Sequence, residues 1–311
     1  MTPDKIHDVV MIGAGPSALT AAIYTTREDI ETILYEKAVV GGLAAITDKV
    51  DNYPGFSEGI EGLKLADELQ KQAERFGAVI DFGDVSALRL EGETKVLTVD
   101  GKDVKARAVL IATGSDYNKL GIPGESEYYG RGVHYCATCD GAFYRDRRLV
   151  VVGGGNSAVQ EAIFLTRFAS HIDLVVRSTV KASDVLQRDL QEFIDQGKIT
   201  VHLATTPDSI NADDSGQVVS VSVTKDGQKL DIETDGVFVF IGLKPNTQFL
   251  VDSGVQLDPI GHIITDNHLQ TAVPGVFASG DVRSGATMQI ASAVGEGASA
   301  AQSIREYLEK K

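Results

Sequence analysis

Asp8-Val9-Val10-Met11-Ile12-Gly13-Ala14-Gly15-Pro16-Ser17-Ala18 decides the fold of this chain. The apolar run Val9 to Ile12 reads as a buried strand, and the small residues that follow read as a turn into a helical stretch from Leu19 to Thr26. Gly13 permits the tight turn, Gly15 lets the backbone approach a pyrophosphate, and Ala18 is small enough for helix to pack on strand. The helix N-terminus then faces the phosphates. Moving outward, a second strand, Thr32 to Tyr35, ends at Glu36, 21 residues beyond Gly15. At that distance a carboxylate binds the ribose of an adenosine. The plain alternative, a βα turn with no ligand, does not account for the acid.

A second copy lies at mid-chain. Arg148 to Val152 reads as a strand, Gly153-Gly154-Gly155-Asn156-Ser157-Ala158 as the same turn, and Val159 to Phe168 as an amphipathic helix. Two such units imply two dinucleotides. The following strand, Ile172 to Val176, runs into Arg177-Ser178-Thr179-Val180-Lys181 where an acid would favour NAD. Arg177 and Lys181 suit a 2′-phosphate, so NADPH is the expected nicotinamide cofactor; otherwise they form a solvated edge.

Cys136-Ala137-Thr138-Cys139-Asp140 holds the only two cysteines. A structural zinc site needs two more Cys or His ligands at matching spacing, and the six histidines offer no paired set, so no metal is expected. Two inert buried thiols are the bland alternative, but the C-x-x-C turn favours disulfide closure and a lowered thiol pKa. The redox reading is preferred. Asp140 is then either a proton donor to a leaving thiolate or a helix N-cap. His134, beside Tyr135 and Cys136, either tunes the thiols or touches the partner, or is a packed loop histidine, and the last is the preferred reading.

Composition narrows the setting. The 311 residues suffice for two domains, and 29 basic against 44 acidic residues give a net charge of −15, which repels nucleic acid and anionic membranes. No stretch approaches the ~20 apolar residues of a membrane span. The first residues lack the pattern of a signal peptide, and both observations point to a cytoplasmic protein. Glu61 to Phe76 reads as an amphipathic surface helix and Asp213-Asp214-Ser215-Gly216 as a hairpin turn. Val273 to Asp281 reads as a buried strand ending in Gly280-Asp281, ahead of a small-residue helix from Met288 through Ala301.

Taken in order, Gly13-Ala14-Gly15-Pro16, Asn52-Tyr53-Pro54-Gly55-Phe56, Ala112-Thr113-Gly114-Ser115, Cys136-Ala137-Thr138-Cys139-Asp140-Gly141, Gly153 to Ala158 and Ala278-Ser279-Gly280-Asp281 resemble the motifs of low-molecular-weight, bacterial-type thioredoxin reductases. The likeness spans essentially the whole chain. It implies an α/β protein of two Rossmann-like, three-layer dinucleotide-binding domains. An FAD domain would comprise residues 1–117 and 246–311, and a nicotinamide domain carrying the cysteines would occupy 118–245. The turn-rich stretches 114–118 and 242–246 suit the two linkers.

Carried over by position, Gly13, Gly15, Pro16, Ser17, Glu36, Gly42, Asn52, Thr113, Gly114, Gly280, Asp281, Gln289 and Ile290 would hold FAD. Gly153, Gly155, Asn156, Ser157, Ala158, Arg177 and Lys181 would hold NADPH. The resemblance further implies electron flow from NADPH through FAD to the Cys136–Cys139 disulfide, and from the dithiol to thioredoxin or a thioredoxin-like protein. Cys139 would face the flavin, Cys136 would attack the partner, Asp140 would manage protons, and the protein would be a homodimer. The chain departs from the family's His-Arg-Arg and following Arg-Ala at Val176-Arg177-Ser178 and Lys181-Ala182, and near the flavin at Leu43 and Met288. The altered basic motif keeps a ferredoxin-type donor open as an alternative, and a flavin-dependent thiol oxidase is the rival activity.

Overall fold

A computed structural model describes residues 5–47, 50 and 52–310. The chain divides into two compact units, Met1–Asp116 with Lys244–Lys311, and Tyr117–Leu243. In the first, Ile6–Ile12 lies between Thr32–Glu36 and Lys102–Ile111, parallel to both, and Val79–Phe82 extends the sheet beyond Thr32–Glu36. Val9 and Met11 face one side and pack with Leu19, Ala22, Ala300 and Ile304 of helices Pro16–Arg27 and Ile290–Glu309. Val10 and Ile12 face the other, among Ile33, Leu88 and Leu97. A strand covered on both faces has no polar side to show, which is why Val9 to Ile12 is a continuous apolar run.

The ten-residue strand Lys102–Ile111 serves two neighbours along one edge. Residues 102–106 pair antiparallel with Thr94–Val99, while residues 109–111 pair parallel with the returning strand Val276–Ala278. The C-terminal segment is thereby built into the first sheet.

The second unit repeats the plan. Its five-stranded sheet runs Ile199–His202, His171–Val175, Arg148–Val152, Gly236–Val239, Val133–His134, with every pairing parallel. Leu149 and Val151 pack with Val159, Ala162 and Leu165 of helix Asn156–Leu165. Val150 and Val152 pack with Ile210, Val221 and Val223 of an antiparallel meander. Truncating one such buried Val or Leu to Ala costs about 2–5 kcal/mol.

Element ends shift for identifiable reasons. The last helix starts at Ile290 rather than Met288, because Gln289 sits at the N-cap in extended conformation. It also continues to Glu309, since Ala300, Ile304 and Leu308 carry a buried stripe at four-residue spacing beyond the small residues. The mid-chain helix starts at Asn156, directly after the glycine turn, and the surface helix spans Gly62–Arg75. Asp213 Oδ1 accepts the N–H groups of Ser215 and Gln217, closing the expected hairpin turn. Among the described residues no helix is long and apolar enough to cross a membrane.

Candidate functional site

The first turn is shaped by Gly13, whose φ of +95° suits glycine and whose place leaves no room for a side chain, since a Cβ would lie 2.6 Å from the Ala112 carbonyl oxygen. Gly15 forms the N-cap of helix Pro16–Arg27, and a Cβ there would meet nothing within 4 Å, so the helix N-terminus faces open space. Pro16, with no N–H to lose, opens the helix. Ser17 is bonded through its hydroxyl to that of Ser279, 2.6 Å away and buried. Glu36 is buried at its strand end, and its two carboxylate oxygens accept the N–H groups of Ala14 and Ala38, each at 2.8 Å. Gly13, Glu36 and Thr113 line a cleft of about 320 Å³ together with Asp84, Asn246 and Phe249.

Other residues of the expected flavin set lie in the same unit. Asn52 Nδ2 donates to Gln289 Oε1 at 2.8 Å, joining residues 237 positions apart just ahead of Ile290. The closest atom to a Cβ built on Gly42 is the Cα of Gly15, at 3.9 Å. Thr113, next to Gly114, donates its hydroxyl to the Asn246 carbonyl at 2.7 Å, and the Asn246 amide returns a bond to the Thr113 carbonyl. Gly280 N–H donates to Glu296 Oε2, and Glu296 also pairs with Arg283.

Asp281 carries the most informative atom. Its Oδ1 is buried and has no hydrogen-bond partner among the described residues. Burial first, and then the nearby Glu296 carboxylate, push the Asp281 carboxyl up to about 6. Buried acceptors in native proteins are paired, so this oxygen calls for a donor such as a ligand hydroxyl. Glu296, Arg283 and Asn246 were not singled out in the sequence, although Glu296 is the one charged residue in the small-residue stretch 290–301.

The second turn has the same construction. Gly153 has φ +144°, and a Cβ there would run into the Phe240 carbonyl oxygen and stand 2.7 Å from Ala158 Cβ. Gly155 is the N-cap of helix Asn156–Leu165, again with open space before it, and Asn156 and Ser157 are exposed while Ala158 is buried. Lys181 N–H donates to the Gly154 carbonyl at 2.6 Å, and Ser183 N–H donates to Asn156 Oδ1 at 2.8 Å. These bonds bring the segment with Arg177 and Lys181 to the turn. Both side chains are exposed and make no hydrogen bond or ion pair among the described residues.

Cys136 and Cys139 are joined as a disulfide, and both are half-buried. Cys136 is the N-cap of the one-turn helix Ala137–Asp140, and its Sγ accepts the Cys139 N–H at 3.2 Å. Asp140 closes that turn, and its side chain caps no helix. The carboxylate is instead 3.1 Å from His134 Nδ1, and His134 Nε2 is 2.7 Å from the Tyr144 hydroxyl. His134 is therefore more than loop packing: it is buried, hydrogen-bonded through Nε2 and in ion-pair contact with Asp140 through Nδ1.

Two dinucleotide turns with a C-x-x-C disulfide between them in the chain define a class of flavin- and nicotinamide-dependent disulfide oxidoreductases. Residues 7–297 match the pyridine nucleotide-disulphide oxidoreductase family, and the chain belongs to it. It is 42% identical over 313 residues to the thioredoxin reductase of Bacillus subtilis, covering 100% of this chain and 97% of that protein. The thioredoxin reductase of Listeria innocua is 43% identical over 310 residues, covering 99% and 95%. The crystal structure of thioredoxin reductase from Streptococcus pyogenes superposes with a TM-score of 0.92 at 38% identity, covering 98% of this chain and 99% of that one.

Proposed function

We propose that the chain is a thioredoxin-disulfide reductase, with FAD held by the first unit and NADPH by the second, which reduces a disulfide of thioredoxin or a thioredoxin-like protein. The observation that carries this reading is the Cys136–Cys139 disulfide with an acid, Asp140, immediately after it. When bound, the flavin and nicotinamide supply the two electrons that open this disulfide.

FAD is supported by the open space before Gly15, by Glu36 locked against the turn for the adenosine ribose, and by the unpaired Asp281 Oδ1, which fits a ribityl hydroxyl. NADPH is supported by Arg177 and Lys181, two unpartnered cations where a 2′-phosphate would lie. The N–H of Cys139 at Cys136 Sγ favours negative charge on that sulfur, which supports Cys136 as the nucleophile toward the partner and leaves Cys139 to the flavin. Asp140 takes the proton from the attacking thiol and returns it to the leaving sulfur. A homodimeric, cytoplasmic protein completes the reading, as in the family it resembles.

Anaerobic mixing of the FAD-loaded protein with NADPH and, separately, NADH tests this function. Loss of flavin absorbance within the mixing time at micromolar NADPH is expected, with NADH far slower. Failure of both nucleotides in protein that dithionite still reduces would transfer the donor role to another carrier.

A further inference from the structure

We propose that His134, braced by Tyr144, is the positioning residue that holds Asp140 as the proton carrier of the Cys136–Cys139 pair. The inference rests on the reading of Asp140 given above and adds to it the two residues that make that acid usable.

The direction of each bond follows from the groups involved. Burial, with the carboxylates of Asp140 and then Asp235, raises the Tyr144 phenol well above its ordinary value. Tyr144 therefore stays protonated and donates its O–H to His134 Nε2. With Nε2 an acceptor, the ring proton sits on Nδ1, the nitrogen that lies 3.1 Å from Asp140 Oδ2 in an ion-pair contact. The phenol sets the tautomer, and the tautomer aims an N–H at the carboxylate. This is the orienting role that a second group plays for a catalytic acid or base.

The packing is built around the network. The His134 ring stacks on Phe238 with centroids 5.1 Å apart, and Tyr144 meets the same Phe238 edge-on at 5.6 Å. Gly236, in the strand beside His134, has no side chain where the Tyr144 ring lies, and a Cβ there would stand 2.7 Å from Tyr144 Cζ. Burying an imidazole costs desolvation that a leucine would not, and here that cost is offset by the Tyr144 bond at Nε2 and the Asp140 contact at Nδ1. The beneficiary is Asp140, whose neighbour in sequence is Cys139.

The step it serves balances. A thiol of the reduced pair gives its proton to Asp140 and forms an S–S bond with one sulfur of the partner disulfide. That disulfide bond breaks, and the leaving thiolate takes the proton back from Asp140. The second thiol repeats the transfer, closes the Cys136–Cys139 bond and releases the second sulfur. Two electrons pass to the partner, its two thiols carry away two protons, and Asp140 ends as it began.

The test uses leaving-group chemistry and needs neither NADPH nor turnover. The purified full-length protein is reduced with dithiothreitol, desalted anaerobically, and reacted with hydroxyethyl disulfide, whose leaving thiolate needs a proton. It is then reacted with 5,5′-dithiobis(2-nitrobenzoate), whose leaving thiolate does not. His134→Phe should slow the first reaction about tenfold and the second only about threefold, because taking the proton from the attacking thiol is common to both disulfides while returning it to the leaving thiolate is needed by the first alone. His134→Asn, which keeps a donor for Asp140, should recover to within about threefold of wild type, and Tyr144→Phe should cost about threefold on hydroxyethyl disulfide alone. Equal slowing with both disulfides, or none with either, overturns the proposal. Asp140→Asn run beside them separates the two readings: if it too leaves the hydroxyethyl rate unchanged, the role of Asp140 itself fails. Should His134→Phe not fold, as judged by circular dichroism, His134→Ser removes the same bond and decides by the same ratio.

Discussion

The two glycine turns share Gly-x-Gly-x-x-Ala and the same strand-to-helix geometry, but they differ at the end of the strand that follows. After the first, Glu36 is buried and both of its oxygens are bonded to backbone N–H groups, one of them in the turn itself. After the second, Arg177 and Lys181 stand exposed with no partner among the described residues. A buried, bonded acid is preorganised and weakly screened, which suits a cofactor that stays. Exposed cations interact through water and salt, which suits a ligand that comes and goes. On the proposed cofactor assignment, one fold element would be tuned for retention or for exchange by a residue some twenty positions away.

Breaking the turns themselves should have the largest effect and should separate them. Gly13→Ala adds a Cβ 2.6 Å from the Ala112 carbonyl oxygen at φ +95°. It should cost about 3 kcal/mol or more of stability and abolish flavin retention, read as thermal unfolding and flavin per chain. Gly153→Ala meets the equivalent obstruction at φ +144° and should abolish nucleotide binding while flavin stays bound. Equal flavin loss in both variants would erase the distinction between the turns.

Next in size is the pH dependence of flavin affinity. Burial, and then the Glu296 carboxylate, push the Asp281 carboxyl from its ordinary 3.8 up to about 6. Its contribution to stability is full below 3.8 and is lost as pH rises through 6. A flavin hydroxyl donating to the ionised carboxylate opposes that loss. FAD affinity should therefore rise between about pH 4 and 6, by up to about a hundredfold, and level off above. Asp281→Asn should flatten the curve, as checked by flavin fluorescence titration.

The exposed cations should give the smaller effects. Arg177→Ala should raise KM for NADPH about tenfold and leave KM for NADH nearly unchanged, and Lys181→Ala should raise it about threefold. Both differences should shrink at high salt. A change shared equally by NADPH and NADH would mean that these side chains do not meet the 2′-phosphate.

The turns were legible in the sequence because glycine and alanine answer to local geometry: Gly13 and Gly153 are needed where each backbone turns, whatever the rest of the chain does. Contacts between distant segments were not. Nothing local to Asn52 announces Gln289, and nothing local to Asp281 announces that burial, and then Glu296, would raise its carboxyl. The last helix runs past its small-residue stretch because the stripe Ala300, Ile304, Leu308 is buried against the first sheet's helix-covered face, a long-range contact that the sequence does not display locally. Asp140 is ambiguous between cap and proton carrier in the sequence, because only the folded chain places it at the N-cap of Gly141–Tyr144 with its carboxylate turned to His134 instead of to the helix.

The measurement that tests the central claim most directly is a count of thiols at Cys136 and Cys139 after anaerobic incubation with NADPH, by differential alkylation and mass spectrometry. Electron flow from the nucleotide to this disulfide predicts both cysteines alkylated with NADPH, and neither in the Gly153→Ala protein. A disulfide that stays closed under NADPH, in protein whose flavin dithionite reduces, would contradict the account.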